Sequence, residues 1–151
     1  MADADMSTAA PPGGDSAAET RGAAIIVFDG ACAMCNGWVR FLLRHDRAAR
    51  YRFAAMQGRT GAALLAEHGL DPHDPSSFLL VDRDGAHVET EAIARVLGGL
   101  GGGWPVLATV ARAVPRGARD RVYRWVARNR RRWAGATCTV PSPEQRDRFL
   151  D

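Results

Sequence analysis

Apolar and polar positions follow two different periods along this chain, and each change of period marks an element. Residues 23–28, Ala-Ala-Ile-Ile-Val-Phe, form a short continuous apolar run ended by Asp29-Gly30, which predicts a buried strand. From Cys32 the spacing becomes helical. Cys35, Trp38, Val39 and Leu42 fall at i, i+3, i+4 and i+7, the inward face of an amphipathic helix reaching about His45. Residues 51–55 alternate and predict a second strand, parallel to the first through the helical crossover. A short Ala/Leu helix follows over residues 60–68, with Gly69 as its C-cap. A turn-rich loop, 71–77, leads into a strand at 78–81. Asp82-Arg83-Asp84-Gly85 then reads as a hairpin turn, and 86–88 as the antiparallel return, with His87 an exposed strand residue. A helix over 89–97, with Thr90 as candidate N-cap, turns Ile93, Val96 and Leu97 inward. The glycine-rich stretch 98–103 interrupts it and lacks the lysine and preceding strand of a phosphate loop. A mostly apolar helix over 104–114 is stopped by Pro115. Residues 119–131 then form a helix with Val122, Trp125, Val126 and Asn129 on one side and arginines elsewhere.

Composition narrows the class. The 151 residues, 46% hydrophobic, are enough to build one domain with a real core. Residues 1–22 are rich in Ala, Gly, Ser, Pro and Asp and have no apolar run, so they are expected to be a disordered acidic tail rather than a secretory signal. Residues 23–100 form the expected α/β core, and 101–151 an arginine-rich helical extension packed on it. No segment approaches the roughly 18 consecutive apolar residues of a membrane span, and the expected location is cytoplasmic. Three cysteines are too few for a disulfide scaffold.

All 20 basic residues are arginine. Between Arg112 and Arg132 there are nine of them against one acid, Asp120, a local excess that the whole-chain charge of +3 conceals. Such helices suit an acidic protein or a membrane surface, although a solvated arginine face is the simplest reading. No nucleic-acid module is present, and nucleic acid is not expected as a partner.

Chemistry concentrates in Asp29-Gly30-Ala31-Cys32-Ala33-Met34-Cys35, a C-x-x-C between a strand and a helix. Cys35 lies on the core-facing side, sheltered. Cys32 lies one turn earlier, at the helix mouth, expected to be exposed, where free backbone N–H groups and the positive dipole end favour a thiolate. One activated and one resolving thiol are what thiol–disulfide exchange requires. In a reducing compartment the pair reads as catalytic or sensing rather than as a structural bridge. The competing reading is a metal site, but a closed zinc site usually takes four Cys or His ligands, and only Cys138 and scattered histidines remain to complete it. Neither a cofactor nor a resident metal is called for.

These residues support a comparison. Phe28-Asp29-Gly30, Cys32-x-x-Cys35-Asn36-Gly37-Trp38-Val39, Arg52-Phe53-Ala54-Ala55-x-Gln57, Gly103-Trp104-Pro105 and the terminal Trp133, Cys138 and Pro141-x-Pro143 resemble the DCC family of thiol–disulfide oxidoreductases, over about residues 23–151. The resemblance implies a thioredoxin-like three-layer fold, with a small mixed sheet flanked by helices, and exchange with a disulfide-containing protein or small thiol substrate, re-reduced by a reductant the sequence does not name. On it, Cys32 is the nucleophile and Cys35 the resolving thiol. Asp29 is either a proton acceptor for Cys35 or a hydrogen-bond acceptor tightening the turn, since its charge opposes a neighbouring thiolate. Trp38, Pro75 and Ser76 are the candidates for substrate contact, Trp38 reading first as core and Pro75 as a cis-proline by analogy with thioredoxin-like folds. Cys138 reads as a buried small hydrophobe. Two other functions stay open: a redox-sensing binding module that docks through its arginine-rich helices, and a Cys/His metal-binding protein.

Overall fold

The computed structural model describes residues 23–73, 78–133 and 142–150. Its elements run β1 (Ala24–Phe28), α1 (Ala33–His45), β2 (Tyr51–Ala55), α2 (Arg59–Glu67), β3 (Leu79–Asp82), β4 (Gly85–Val88), α3 (Glu89–Gly99), α4 (Trp104–Ala113) and α5 (Arg116–Trp133). A 3-10 turn at Pro143–Arg148 then leads into β5 (Phe149–Leu150).

The run Ile25-Ile26-Val27-Phe28 is apolar at every position because β1 is central and covered on both faces. Alternate residues divide between two cores. Ile26 and Phe28 join Phe53 and Leu80 against Val39 and Leu42 of α1 and Val96 of α3. Ile25 and Val27 join Ala54 and Leu79 against Leu65 of α2. The result is a three-layer α/β arrangement around one mixed sheet of order β4-β3-β1-β2-β5, consistent with a thioredoxin-like fold. β1 and β2 are parallel, with Ile26 opposite Phe53 and Phe28 opposite Ala55. β3 and β4 complete one side antiparallel. Layer spacing is tight where α2 crosses the end of β2: a Cβ at Gly61 would lie 2.0 Å from the Ala55 carbonyl oxygen, so only glycine fits.

Beyond the core, α4 and α5 both pack on α3. Three local expectations change here. Thr90 is not the cap of α3, which begins after Val88; its hydroxyl instead donates to the Asp120 carboxylate and ties α3 to α5. The last helix begins at Arg116 rather than 119, because Pro115 supplies the carbonyl that accepts the Ala118 and Arg119 N–H groups. His87 is not an exposed strand residue but is largely covered, with Nε2 3.1 Å from Asp82 Oδ1. The structure also adds a strand: β5 pairs in parallel with β2, Phe149 opposite Phe53. No described helix is long and apolar enough to cross a membrane.

Candidate functional site

Where β1 ends, the chain leaves the sheet through a turn held from several directions. Asp29, only 6% exposed, accepts the Ala31 N–H on Oδ1 at 3.0 Å, and its carbonyl accepts the Cys32 N–H at 3.2 Å. Parallel pairing of β1 with β2 brings the residue two beyond Ala55 alongside this turn. That residue is Gln57, and its amide serves both sides of the turn. Nε2 donates to Asp29 Oδ1 at 2.8 Å, and Oε1 accepts the Gly30 N–H at 3.1 Å. Gly30 leaves the room: a Cβ there would sit 3.2 Å from Gln57 Oε1 and 3.4 Å from the Ala55 methyl. From the helix side, the Asn36 side chain donates to the Gly30 carbonyl at 2.9 Å, while its N–H closes the first turn of α1 on the Cys32 carbonyl.

Within this frame Cys32 is the N-cap of α1, in extended conformation, and Cys35 is the third helical residue. Both are free thiols. Cys35 packs against the core cluster of Phe28, Val39 and Leu42, on the side its spacing indicates. The expected difference in exposure is reversed, however: Cys32 is 7% exposed and buried, and Cys35 is half-buried. Helical periodicity says nothing about the burial of a residue that precedes the helix. Cys32 lies in the turn, with its N–H and C=O both bonded there.

Trp38 is half-buried, stacked on Phe41 at 5.3 Å between ring centres, in a row of rings that continues through His45 to Trp104 and joins α1 to α4. Trp38 meets Phe41 within α1, and it is Phe41 and His45 that reach Trp104. Pro75, Ser76 and Cys138 lie outside the described residues. Among the described residues, no three His, Cys, Asp or Glu side chains converge in a way that could hold a metal ion.

Gln57 and Asn36 are the contributors to which sequence reasoning gave no role. Asn36 carried a signal: with Cys32 and Val39 it falls at i, i+4 and i+7, a polar residue in a buried stripe, and it is 1% exposed. Gln57 carried a signal only as part of the run Arg52-Phe53-Ala54-Ala55-x-Gln57 quoted for the family resemblance, because its place beside the turn depends on the β1–β2 pairing.

The profile of the DCC1-like thiol-disulfide oxidoreductase family matches residues 26–136. The chain is 35% identical over 128 residues to an uncharacterized protein, YuxK, of Bacillus subtilis (strain 168), covering 83% of this chain and 93% of that one. It is 39% identical over 106 residues to a chloroplastic DCC family protein of Arabidopsis thaliana, covering 70% of this chain and 62% of the plant protein. No solved structure matches.

Proposed function

The chain belongs to the DCC1-like thiol–disulfide oxidoreductase family, and from that premise we propose that Cys32 and Cys35 form a two-electron dithiol–disulfide couple that reduces protein or small-molecule disulfides in the cytoplasm. The observation that carries this reading is a pair of free thiols at a strand-to-helix junction, in a turn fixed by Asp29, Gln57 and Asn36.

In the forward reaction the Cys32 sulfur, at the N-cap and so at the positive end of α1, attacks one sulfur of the substrate disulfide as a thiolate. A mixed disulfide forms and the other substrate sulfur leaves as a thiolate. Cys35, deprotonated, then attacks Cys32 Sγ. The Cys32–Cys35 disulfide closes and the second substrate sulfur is released, so the protein loses two electrons and the substrate gains them. An external thiol reductant, one dithiol of the thioredoxin class or two molecules of glutathione, supplies the two electrons that restore the reduced pair and is itself left as a disulfide. Because Asp29 Oδ1 already receives two N–H groups, its part in this scheme is to hold the turn against Gln57 while the sulfur chemistry proceeds.

The test is the Cys32–Cys35 equilibrium in glutathione redox buffers, read by thiol trapping and mass spectrometry. A reversible two-electron transition lost in Cys32→Ser and in Cys35→Ser, and kept in Cys138→Ser, is the expected result. Absence of an intramolecular disulfide at every poise, or stoichiometric zinc in the purified protein, overturns the reading.

A further inference from the structure

The outer surface of α4 and α5 leaves large apolar side chains in solvent. Val106, Leu107, Val110 and Val114 are 45% to 66% exposed, and Val122 and Trp125 on α5 are 63% and 52% exposed. Positions 106, 107 and 110 make one stripe of α4, on the side away from the buried Ala108, and Val114 follows at the C-cap. The stripe runs into a groove of about 470 Å³ between α3, α4 and α5, whose walls include Ile93, Leu97, Val114, Val122 and Val126.

Arg119 also lines this groove, and its Nε and Nη1 are buried without any hydrogen-bond acceptor. Those two groups are closed off from solvent, so the charge that this face offers a partner comes from the neighbouring arginines. Arg112, Arg116 and Arg124 find Glu91, Asp120 and Glu89, whereas Arg121 and Arg128 have no acidic partner among the described residues.

We propose that the outer face of α4 and α5 docks on an anionic lipid surface, with the valine–leucine stripe entering the boundary of headgroups and acyl chains and the exposed Arg121 and Arg128 taking lipid phosphates. A second copy of this chain is the wrong occupant, because the exposed Arg121 and Arg128, without acidic partners among the described residues, would face their own counterparts. A specific acidic protein asks for directional polar contacts. On this face the Thr109 hydroxyl donates to the Pro105 carbonyl at 2.9 Å and the Asn129 amide to the Trp125 carbonyl at 2.8 Å, so both are spent within their own helices. What remains is aliphatic surface, one indole and guanidinium groups. That combination matches a lipid interface, where apolar area and phosphate charge are offered without directional order.

The experiment is flotation of the full chain with phosphatidylcholine vesicles, with and without phosphatidylglycerol. Binding is expected only with phosphatidylglycerol, falling steeply as salt is raised. Arg121→Gln and Arg128→Gln should each weaken it about fivefold. The double variant Val106→Glu and Val110→Glu should weaken it more than tenfold, since it puts carboxylates in place of inserted side chains. These four side chains are exposed, so circular dichroism and the Cys32–Cys35 midpoint should be unchanged in every variant, which separates failure here from failure of the redox reading. No binding to phosphatidylglycerol vesicles at low salt overturns the proposal, as does full binding by the double glutamate variant. Preferential capture by polyglutamate with vesicles ignored also overturns it, in favour of an acidic protein.

Discussion

Gln57 spends both ends of one amide on the redox turn, so its replacement separates the shape of that turn from its charge. Gln57→Ala removes the donor to Asp29 and the acceptor for the Gly30 N–H, and should lower stability by about 1–2 kcal/mol. Gln57→Glu keeps the size but sets a second carboxylate beside Asp29. A negative charge there opposes a thiolate at Cys32 and so disfavours the reduced pair. The midpoint in glutathione buffers should move to the reducing side by about 15 mV, roughly threefold in the equilibrium constant. An unmoved midpoint in Gln57→Glu would show that the turn does not sense this position. Tyr51 is the second residue whose partner decides its behaviour. Its hydroxyl donates to the Val96 carbonyl at 3.0 Å, and burial, reinforced by the charge of Asp46, pushes its pKa up to about 12. The folded state holds the neutral phenol, so this contribution is complete below the ordinary value of 10 and is lost as pH rises through about 12. Tyr51→Phe should lose about 1–2 kcal/mol at neutral pH and, in urea titrations at rising pH, show a shallower alkaline decline than the parent chain. The packing leaves no slack at this point: a Cβ at Gly99 would lie 1.9 Å from the Tyr51 oxygen.

At the scale of elements, the β3–β4 hairpin is closed by charge as well as by its ladder. Asp82 receives the Asp84 N–H at 2.8 Å, faces His87 Nε2 at 3.1 Å and meets Arg95 of α3 at 3.2 Å. Burial alone would raise its pKa, but the Asp84 N–H, His87 and Arg95 together outweigh it and hold the carboxyl below the ordinary carboxylate range. A depressed carboxylate stabilises the fold above its unfolded value, and that contribution is lost as pH falls through the folded one. Asp82→Asn should therefore flatten the acid limb of the stability profile and change little on the alkaline side, measured as urea midpoints against pH; an acid limb as steep as the parent's sinks the assignment. Elements of this kind were legible because their signals are local. The continuous apolar run of β1, the i, i+3, i+4, i+7 spacing of Cys35, Trp38, Val39 and Leu42, and Asp84-Gly85 in the hairpin each declare themselves within a few residues. Thr90 misleads for the opposite reason, since a helix-start hydroxyl is here used by another helix, and Cys32 does because burial at an N-cap depends on the turn before it. β5 gives no signal: two residues have no period, and only Phe53, distant in sequence, explains them.

At the scale of the whole molecule, the sheet is completed by its last residues, and the device that holds them is ionic as well as apolar. Phe149 sets its ring 5.5 Å from Phe53 and 6.5 Å from Phe28, so β5 covers an edge of the core. Just before it, Arg148 lies over the Phe53 ring at 5.3 Å and donates to the Tyr51 carbonyl from Nε and Nη2 at 3.1 and 2.9 Å. It also pairs closely with the carboxylate of Asp46. Asp46 is almost completely buried between α1 and β2, where it also accepts the Arg50 and Tyr51 N–H groups. Removing the cation strands that charge. Arg148→Met keeps most of the aliphatic contact with Phe53 yet should cost about 3–5 kcal/mol, the penalty for a buried carboxylate that loses its partner. Adding Asp46→Asn should recover part of the loss, because the stranded charge goes with it and the amide oxygen can still accept one of the two N–H groups. The comparison is made by urea denaturation of the two variants and the parent chain. If Arg148→Met costs less than about 1 kcal/mol, or the second change deepens the loss instead of relieving it, then β5 is held by its pairing with β2 and its aromatic contacts. In that case the pair of Arg148 and Asp46, 102 residues apart, adds nothing to the closure of the sheet.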